Sequence, residues 1–171
     1  MPARIEACAL PHHALLGSYT QNGGYADCYA TDIDRPVSHA EYVEAFYTGA
    51  VFKLERLLLA WFISRPSTDA QAKELACGQR SDFAAWTVEA RGTDQLLLCD
   101  VGGSTRSWLM VEPVHATSTR LYFGSAVVPR RSKATGETKM GFVFKALLGF
   151  HKLYSRVLLH AARTRLERNR K

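Results

Sequence analysis

The spacing of the apolar residues changes near Phe83, and this change limits the folds that the chain can adopt. Before Phe83, apolar side chains recur at intervals of three and four residues, which is typical of helices. From Phe83 to about residue 128 they alternate with polar ones, as in strands that bury one face. Two short glycine-containing segments, Gly92-Thr93 and Gly102-Gly103, divide this stretch like two-residue hairpin loops. The pattern predicts an antiparallel meander.

The two hairpin loops also predict how neighbouring strands pair. The first places Arg91 opposite Asp94, and the second places Ser104 opposite Val101. The four predicted strands cover about residues 83–91, 94–101, 104–112 and 119–128.

The third connection is looser, and we expect it to place Glu112 opposite Thr119. Opposed residues point to the same side, so one face of the sheet is predicted to collect Ala84, Trp86, Val88, Leu97, Cys99, Val101, Arg106, Trp108, Met110, Leu121, Phe123, Ser125 and Val127. The other face is predicted to carry an apolar patch of Leu96, Leu98, Leu109, Val111 and Tyr122. An exposed patch of this kind favours a homodimer contact.

Helices are predicted on both sides of the meander. After a first strand at 25–33, Ser38 and Glu41 have the spacing of a capping box, which begins a helix that runs to about residue 63. Alternatively, Gly49 divides this segment into two shorter helices. The apolar side of the segment carries Tyr42, Val43, Phe46, Tyr47, Leu54, Leu57, Leu58 and Trp61. Ser67 or Thr68 begins a second helix that ends at Gly78. A final helix over about 139–168 has an apolar stripe and is expected to cover the face that carries Trp86 and Trp108. The predicted fold class is therefore α+β, a curved antiparallel β-sheet wrapped around a long C-terminal helix, with helices between strand 1 and the meander.

The length and composition favour one domain. The chain has 171 residues, 47% of them hydrophobic, and no linker divides it. We predict a single domain over 1–171, with an irregular N-terminal segment at 1–20 and a basic tail at 166–171. The longest apolar runs are too short to span a bilayer, and the N-terminus is a poor signal peptide, so we expect a cytoplasmic protein. The four cysteines form no CxxC pair and are predicted to be buried free thiols.

The charge is distributed unevenly along the chain. Residues 129–171 contain twelve basic and two acidic residues, whereas residues 1–128 carry a net charge of −4. This asymmetry indicates either an anionic partner or the solvated face of a helix followed by a basic tail. Of the anionic partners, a membrane surface that contacts the basic C-terminal helix is favoured over nucleic acid.

The order of strand, helices, meander and closing helix resembles the helix-grip (SRPBCC) superfamily, which includes START lipid-transfer domains, Bet v 1-type allergens and polyketide cyclase/dehydratase-like proteins. The likeness lies in three segments, DIDRPVSHAEYVEAF, TSTRLYFG and FVFKALLGFHKLYSRVL, within residues 25–165. The family usually has six or seven strands and five are predicted here, so either a further strand lies within 5–20 or 125–140, or the sheet is shorter. The resemblance implies a cavity between sheet and helix that holds an apolar or amphipathic small molecule. The scaffold hosts carriers, sensors and enzymes.

The candidate ligand-binding residues are those that the predicted face and the final helix would bring together. Arg106 is the one permanent charge on that face, and it would either hold a ligand carboxylate or phenolate or reach water from the rim. The aromatic and thioether side chains would form either a ligand pocket or plain core. The predicted set is Trp86, Val88, Leu97, Arg106, Trp108, Met110, Phe123, Leu147, Phe150 and Tyr154.

Three functions are compatible with the sequence. The first is binding of a hydrophobic or amphipathic small molecule in the predicted cavity. The second is a cyclase- or dehydratase-like enzyme that uses the same cavity, with catalytic residues that the sequence does not identify. The third is a basic surface module that docks on an anionic membrane or on nucleic acid. No metal-binding or cofactor motif is present, and neither group is expected.

Overall fold

A curved, open sheet of seven antiparallel strands organises the part of the chain that the computed structural model describes. This part comprises residues 4–20, 25–53, 66–128 and 142–169, with the backbone alone for 142–151. The spatial order is β1-β2-β7-β6-β5-β4-β3. The strands are β1 (Glu6–Ala7), β2 (Tyr25–Ile33), β3 (Asp82–Phe83), β4 (Trp86–Arg91), β5 (Gln95–Asp100), β6 (Thr105–His115) and β7 (Ser118–Val127). The predicted α+β class is confirmed.

Three α-helices with both ends in the described ranges accompany the sheet, and two of them begin with capping boxes. They are α1 (His39–Tyr47), α2 (Asp69–Ala76) and α3 (Phe142–Arg168). The amide of Glu41 donates to Ser38 Oγ at 3.2 Å, while the Ser38 amide donates to the Glu41 carboxylate at 2.9 Å. Thr68 caps α2 in the same way, and Gly78 follows that helix with a φ of +76°.

The first helix follows the predicted alternative in which the helical segment breaks near Gly49. It ends at Tyr47, where the hydroxyl of Thr48 donates to the carbonyl of Glu44, and the chain is helical again over residues 50–53. The rest of the predicted helix, to residue 63, lies outside the described residues.

The pairing of β5 with β6 is the predicted one. Cys99 lies opposite Arg106, which is the register that the Gly102-Gly103 loop requires. Gly103 has a φ of +68°, a left-handed conformation that favours glycine. Leu97, Cys99, Arg106, Trp108 and Met110 therefore share one face, as expected.

The pairing of β4 with β5 differs from the prediction. The amide of Gly92 donates to the carbonyl of Gln95 at 2.9 Å, so the turn residues are Thr93 and Asp94. A bulge between Val88 and Ala90 shifts the register again, and Trp86 lies opposite Asp100. The prediction that Trp86 shares a face with Trp108 is therefore wrong.

The pairing of β6 with β7 is also shifted, by one residue. Glu112 lies opposite Arg120 rather than Thr119, so Phe123 pairs with Leu109. A one-residue shift turns every side chain of the strand to the opposite face. We call the face that contacts the helices the helix-side face, which carries Trp86, Val88, Leu96, Leu98, Leu109, Val111, Leu121, Phe123, Ser125 and Val127. The outer face carries Leu97, Cys99, Arg106, Trp108, Met110 and Tyr122.

The helices cover the helix-side face rather than the predicted one. Leu158 and Leu159 of α3 are buried in the same core cluster as Leu98 and Leu109, together with the aromatic side chains of α1. The apolar patch that suggested a homodimer is thus buried within the chain, with Leu96, Leu98, Leu109 and Val111 beneath the helices and Tyr122 buried on the outer face. The homodimer stays a prediction, but the apolar patch no longer supports it.

The outer face has a cover of its own, the N-terminal segment. Residues 10–19, which we call the N-terminal cover, include a 3₁₀ helix at Leu15–Tyr19 and pack against Trp108 and Met110. The side chain of Gln95 ties this cover to the sheet. Its Oε1 accepts from Trp108 Nε1 at 3.0 Å and from the Leu15 amide at 2.9 Å.

Close packing beneath this cover depends on a glycine of β7. A Cβ at Gly124 would lie 2.8 Å from Leu16 Cδ2 and 2.9 Å from Trp108 Cε3, which is closer than such atoms pack. Residues 1–20 were predicted to be irregular. Their described part instead supplies β1, a strand within the predicted 5–20 window, and the cover of a second core.

Buried His39 should make stability depend on pH. Its Nε2 is buried with no hydrogen-bond partner among the described residues, and burial lowers the pKa of His39 to about 4. Between pH 6.5 and about 4, the unfolded chain binds a proton that the folded chain does not. The free energy of unfolding should therefore fall by roughly 3 kcal/mol across that window because of this residue.

Urea unfolding of the wild type and His39→Gln, measured from about pH 7 to pH 4, checks this expectation. The variant should lose the part of the pH dependence that His39 causes, whereas His160→Gln, at an exposed position of α3, should follow the wild type. Parallel profiles for the wild type and His39→Gln would contradict it.

Candidate functional site

A cavity of about 220 Å³ lies between the helix-side face and the helices. The strands β4, β6 and β7 form its floor, while α1, the helical residues 50–53 and α3 form its roof. Its described lining residues are Phe46, Phe52, Trp86, Thr105, Arg106, Ser107, Phe123, Ser125, Ala126, Val127, Tyr154 and Leu158.

Aromatic rings form much of the cavity wall. Phe46 of α1 lies with its ring centroid 4.9 Å from that of Phe123 in β7 and 6.0 Å from that of Phe52. Phe52 in turn stacks with Phe83 at 6.3 Å, beside the turn that leads into Trp86. Rings held by one another in this way keep their positions, so the space between them persists as a gap.

Apart from Arg106, the polar groups of the cavity are hydroxyls and one indole nitrogen. Ser125 Oγ donates to Asp27 at 2.6 Å, and the Ser107 hydroxyl lies 3.4 Å from that of Tyr47, so both already have partners. Trp86 is different. Its Nε1 is buried and has no hydrogen-bond partner among the described residues. A buried donor without an acceptor costs free energy, and a ligand with an acceptor would remove that cost.

The described lining offers no group suited to proton transfer near neutral pH. It contains neither a histidine nor a carboxylate, and its hydroxyls belong to Thr105, Ser107, Ser125 and Tyr154. Across the described ranges, no three His, Cys, Asp or Glu side chains are grouped to hold a metal ion.

The structure brings four of the predicted site residues together. Trp86, Arg106, Phe123 and Tyr154 all line the cavity. Val88 packs on the same face against the core without lining it. Whether these residues bind a ligand stays a prediction.

Other predicted site residues are placed elsewhere. Leu97, Trp108 and Met110 lie on the outer face beneath the N-terminal cover, because the strand phase that placed them near α3 is wrong. Leu147 and Phe150 lie outside the residues whose side chains the structure describes.

Arg106 borders the cavity, but its guanidinium is held on the outer face. Its Nε lies 2.6 Å from Glu89 Oε2 and donates to the Tyr19 hydroxyl at 3.0 Å. The same guanidinium lies 4.7 Å from the centre of the Tyr19 ring, and the Tyr19 hydroxyl donates to Glu89. Burial, followed by the bond to Glu89, raises the pKa of Tyr19. Arg106 is therefore already paired with a carboxylate of the same chain, that of Glu89. The prediction that Arg106 faces the C-terminal helix is wrong.

Sequence reasoning missed the contribution of α1 to the cavity. Phe46 was predicted on the apolar side of the first helix, but the cavity was placed against the final helix alone. Its neighbour on the roof, Phe52, follows Gly49, where the prediction allowed a break. The sequence signal for this contribution was the four aromatic residues between Tyr42 and Phe52, which are more than the single apolar stripe of one helix accommodates.

A second depression lies at the β1 edge of the sheet, and we call it the edge groove. It has a volume of about 320 Å³ and polar walls. Arg120 and Asp32 form a bidentate ion pair there, with Nε–Oδ1 and Nη2–Oδ2 distances of 2.7 and 2.9 Å. This pair raises the pKa of Arg120 and lowers that of Asp32. The described lining is Arg4, Glu6, Ala7, Cys8, Ala30, Thr31, Asp32 and Arg120.

Comparisons with known proteins identify no relative, because no family model, curated protein or solved structure matches the chain. Within the described residues, no helix has both the length and the apolar character that a membrane crossing needs.

The position of Arg106 predicts a structural role for it. Replacing it with Met keeps its aliphatic bulk but removes the cation that pairs with Glu89 and the donor to the Tyr19 hydroxyl. We expect the free energy of unfolding to fall by about 1–3 kcal/mol, since the Arg106 side chain is only 12% exposed. Urea denaturation measures this change.

The matched control is Lys53→Met, which breaks an exposed ion pair with Asp69 and should cost less than about 0.5 kcal/mol. Equal stability losses for Arg106→Met and Lys53→Met would show that the Arg106 network does not hold the N-terminal cover.

Proposed function

We propose that the chain binds a small, mainly apolar molecule in the cavity between the helix-side face and the helices. The observation that carries this proposal is the aromatic wall around a gap, with the unpartnered indole nitrogen of Trp86 beside it. Apolar walls with few polar groups are the usual composition of small-molecule sites. The nitrogen favours a ligand that carries a hydrogen-bond acceptor.

The volume of the cavity restricts the ligand. A cavity of about 150 Å³ lined by apolar side chains holds benzene, and drug-sized ligands occupy about 300–1,000 Å³. A volume of about 220 Å³ therefore favours a molecule with one or two rings over a lipid with long chains. Among the ligand classes expected from the sequence, the aromatic one fits best.

A helix-grip relationship is part of the proposal. Seven antiparallel strands, curved and covered by a long C-terminal helix, support it, as does a cavity between these elements. We also propose a cytoplasmic location, which agrees with the four cysteines being free thiols. The enzymatic alternative has less support, since the described lining lacks an acid–base residue.

A second candidate function has an observation of its own on α3. Leu153 and Val157 are 63% and 41% exposed, and they lie one helical turn apart, each next to an exposed basic residue, Lys152 and Arg156 respectively. Apolar side chains flanked by basic ones suit the interface of an anionic membrane. We call these four residues the α3 patch and propose it as a membrane-docking surface.

The cavity proposal is tested with an environment-sensitive naphthyl ketone dye, compared with naphthalene, which lacks the acceptor. Trp86→Phe keeps a ring but removes the donor, so we expect the dye to bind roughly 5- to 10-fold more weakly, while naphthalene affinity stays unchanged. Trp108→Phe, on the outer face, is the control, and it should leave the dye affinity unchanged. Fluorescence titration of the dye and competition by naphthalene give the affinities.

A blocking variant tests the location of the site. Thr105→Trp places a ring in the cavity, whereas Thr87→Trp places one on an exposed position of the neighbouring sheet region. Dye binding should be lost in the first variant and kept in the second. Equal binding to both would exclude the cavity as the site.

The docking proposal is tested by sedimentation with phosphatidylserine vesicles at low and high salt. Binding should fall steeply with salt and should be lost in Leu153→Ser/Val157→Ser, while the dye affinity stays unchanged. The control is Val101→Ser, an exposed apolar residue in the β5–β6 loop. Binding that does not depend on the α3 patch would remove this function.

A further inference from the structure

We propose that Cys8 and Cys28 form a thiol–disulfide exchange site whose substrate is a small-molecule disulfide and whose product is a cross-strand Cys8–Cys28 disulfide. This inference goes beyond ligand binding in the cavity and does not depend on it.

The geometry places the two cysteines directly opposite each other. Cys8 follows β1, and its amide donates to the carbonyl of Cys28 in β2 at 3.0 Å, which continues the pairs Glu6–Ala30 and Ala7–Tyr29. Opposed residues joined by such bonds have Cα atoms about 5.5 Å apart, within the range that a disulfide spans. The two Sγ atoms are 3.3 Å apart. A disulfide can therefore form with little movement of the backbone.

The surroundings give the two thiols different roles. Cys8 is exposed in the edge groove, whereas Cys28 is buried. The prediction that all four thiols are buried is therefore wrong for Cys8, and also for the exposed Cys77. The contact with Cys28 lowers the pKa of Cys8, and the charge of Arg120 lowers it further, against the opposing effect of burial. The same contact, followed by burial, raises the pKa of Cys28. Cys8 is the thiolate that attacks, and Cys28 is the thiol that resolves.

The reaction balances in two steps. The Cys8 thiolate attacks one sulfur of the small disulfide, forms a mixed disulfide and releases the first small thiolate. Cys28 then loses its proton and attacks Cys8 Sγ, which forms the Cys8–Cys28 bond and releases the second small thiolate. Two protein thiols are oxidised, one small disulfide is reduced to two small thiols, and an excess of small thiol reverses the exchange.

The Cys8–Cys28 disulfide would covalently link the segment that carries the N-terminal cover to strand β2 of the sheet. Cys8 and Cys28 are 20 residues apart in the chain, and the N-terminal cover lies between them. Closing a loop of this length restricts the unfolded chain, so the melting temperature should rise by on the order of 5–10 °C.

The purified chain is incubated with oxidised glutathione and examined by intact mass and peptide mapping. We expect a crosslinked peptide that contains Cys8 and Cys28 and lacks two hydrogens, together with the rise in melting temperature. Cys77, an exposed thiol that forms no crosslink, serves as the internal control and should keep one glutathione. Reduced glutathione should restore both thiols.

Two variants separate the steps. In Cys28→Ala the mixed disulfide should persist at Cys8, and in Cys8→Ser the buried Cys28 should stay unmodified. The wild-type peptide map decides the matter even if Cys28→Ala fails to fold. A glutathione that persists on wild-type Cys8 as long as on Cys77, or no modification of Cys8, would overturn the proposal.

Discussion

The register of β7 against β6 and of β4 against β5 determines which side chains meet the helices. Successive residues of a strand point to opposite sides, so a displacement of one residue exchanges the two faces completely. Glu112 opposes Arg120, and this single pairing sends Phe123 and Leu121 toward α1 and α3. The bulge between Val88 and Ala90, in a strand near the opposite edge of the sheet, turns Trp86 toward the same helix-side face. The cavity exists because both displacements bring aromatic side chains to the same face.

Burial of both faces follows from the same register. The helices cover one face and the N-terminal cover lies on the other, so four successive residues of β5, from Gln95 to Leu98, are all buried. A strand buried on both faces has a continuous apolar run instead of strict alternation. The run LLLC at 96–99 indicates burial on both faces, but it does not say which segment of the chain covers the second face. Gln95, the polar residue in this buried stretch, is satisfied by bonds to both the cover and the sheet.

The elements were predictable because their signals are local. The capping boxes at Ser38 and Thr68 are each contained in four residues, and the Gly102-Gly103 loop sets the β5–β6 register through its own backbone. The bulge had no such signal, since a single extra residue in WTVEAR leaves the composition of a strand unchanged. The candidate site was therefore predicted in part. Trp86 and Phe123 were predicted on the wrong face, but the C-terminal helix was predicted to cover that same face. The predicted proximity of these two residues to Tyr154 is therefore correct, whereas Trp108 and Met110 lie on the face away from the cavity.

The position of Arg106 determines what kind of ligand the proposed site would accept. Arg106 is the one charged side chain in the described lining, and its guanidinium is paired with Glu89 and Tyr19 on the outer face. A charged ligand would lose its hydration in the cavity without gaining an ion pair, which is costly. A neutral ring that carries an acceptor would lose little hydration and could meet the Trp86 nitrogen. The bulge at Glu89 thus has two effects on the site. It turns Trp86 toward the cavity, and it brings the Glu89 carboxylate to Arg106, which holds the guanidinium away from the cavity.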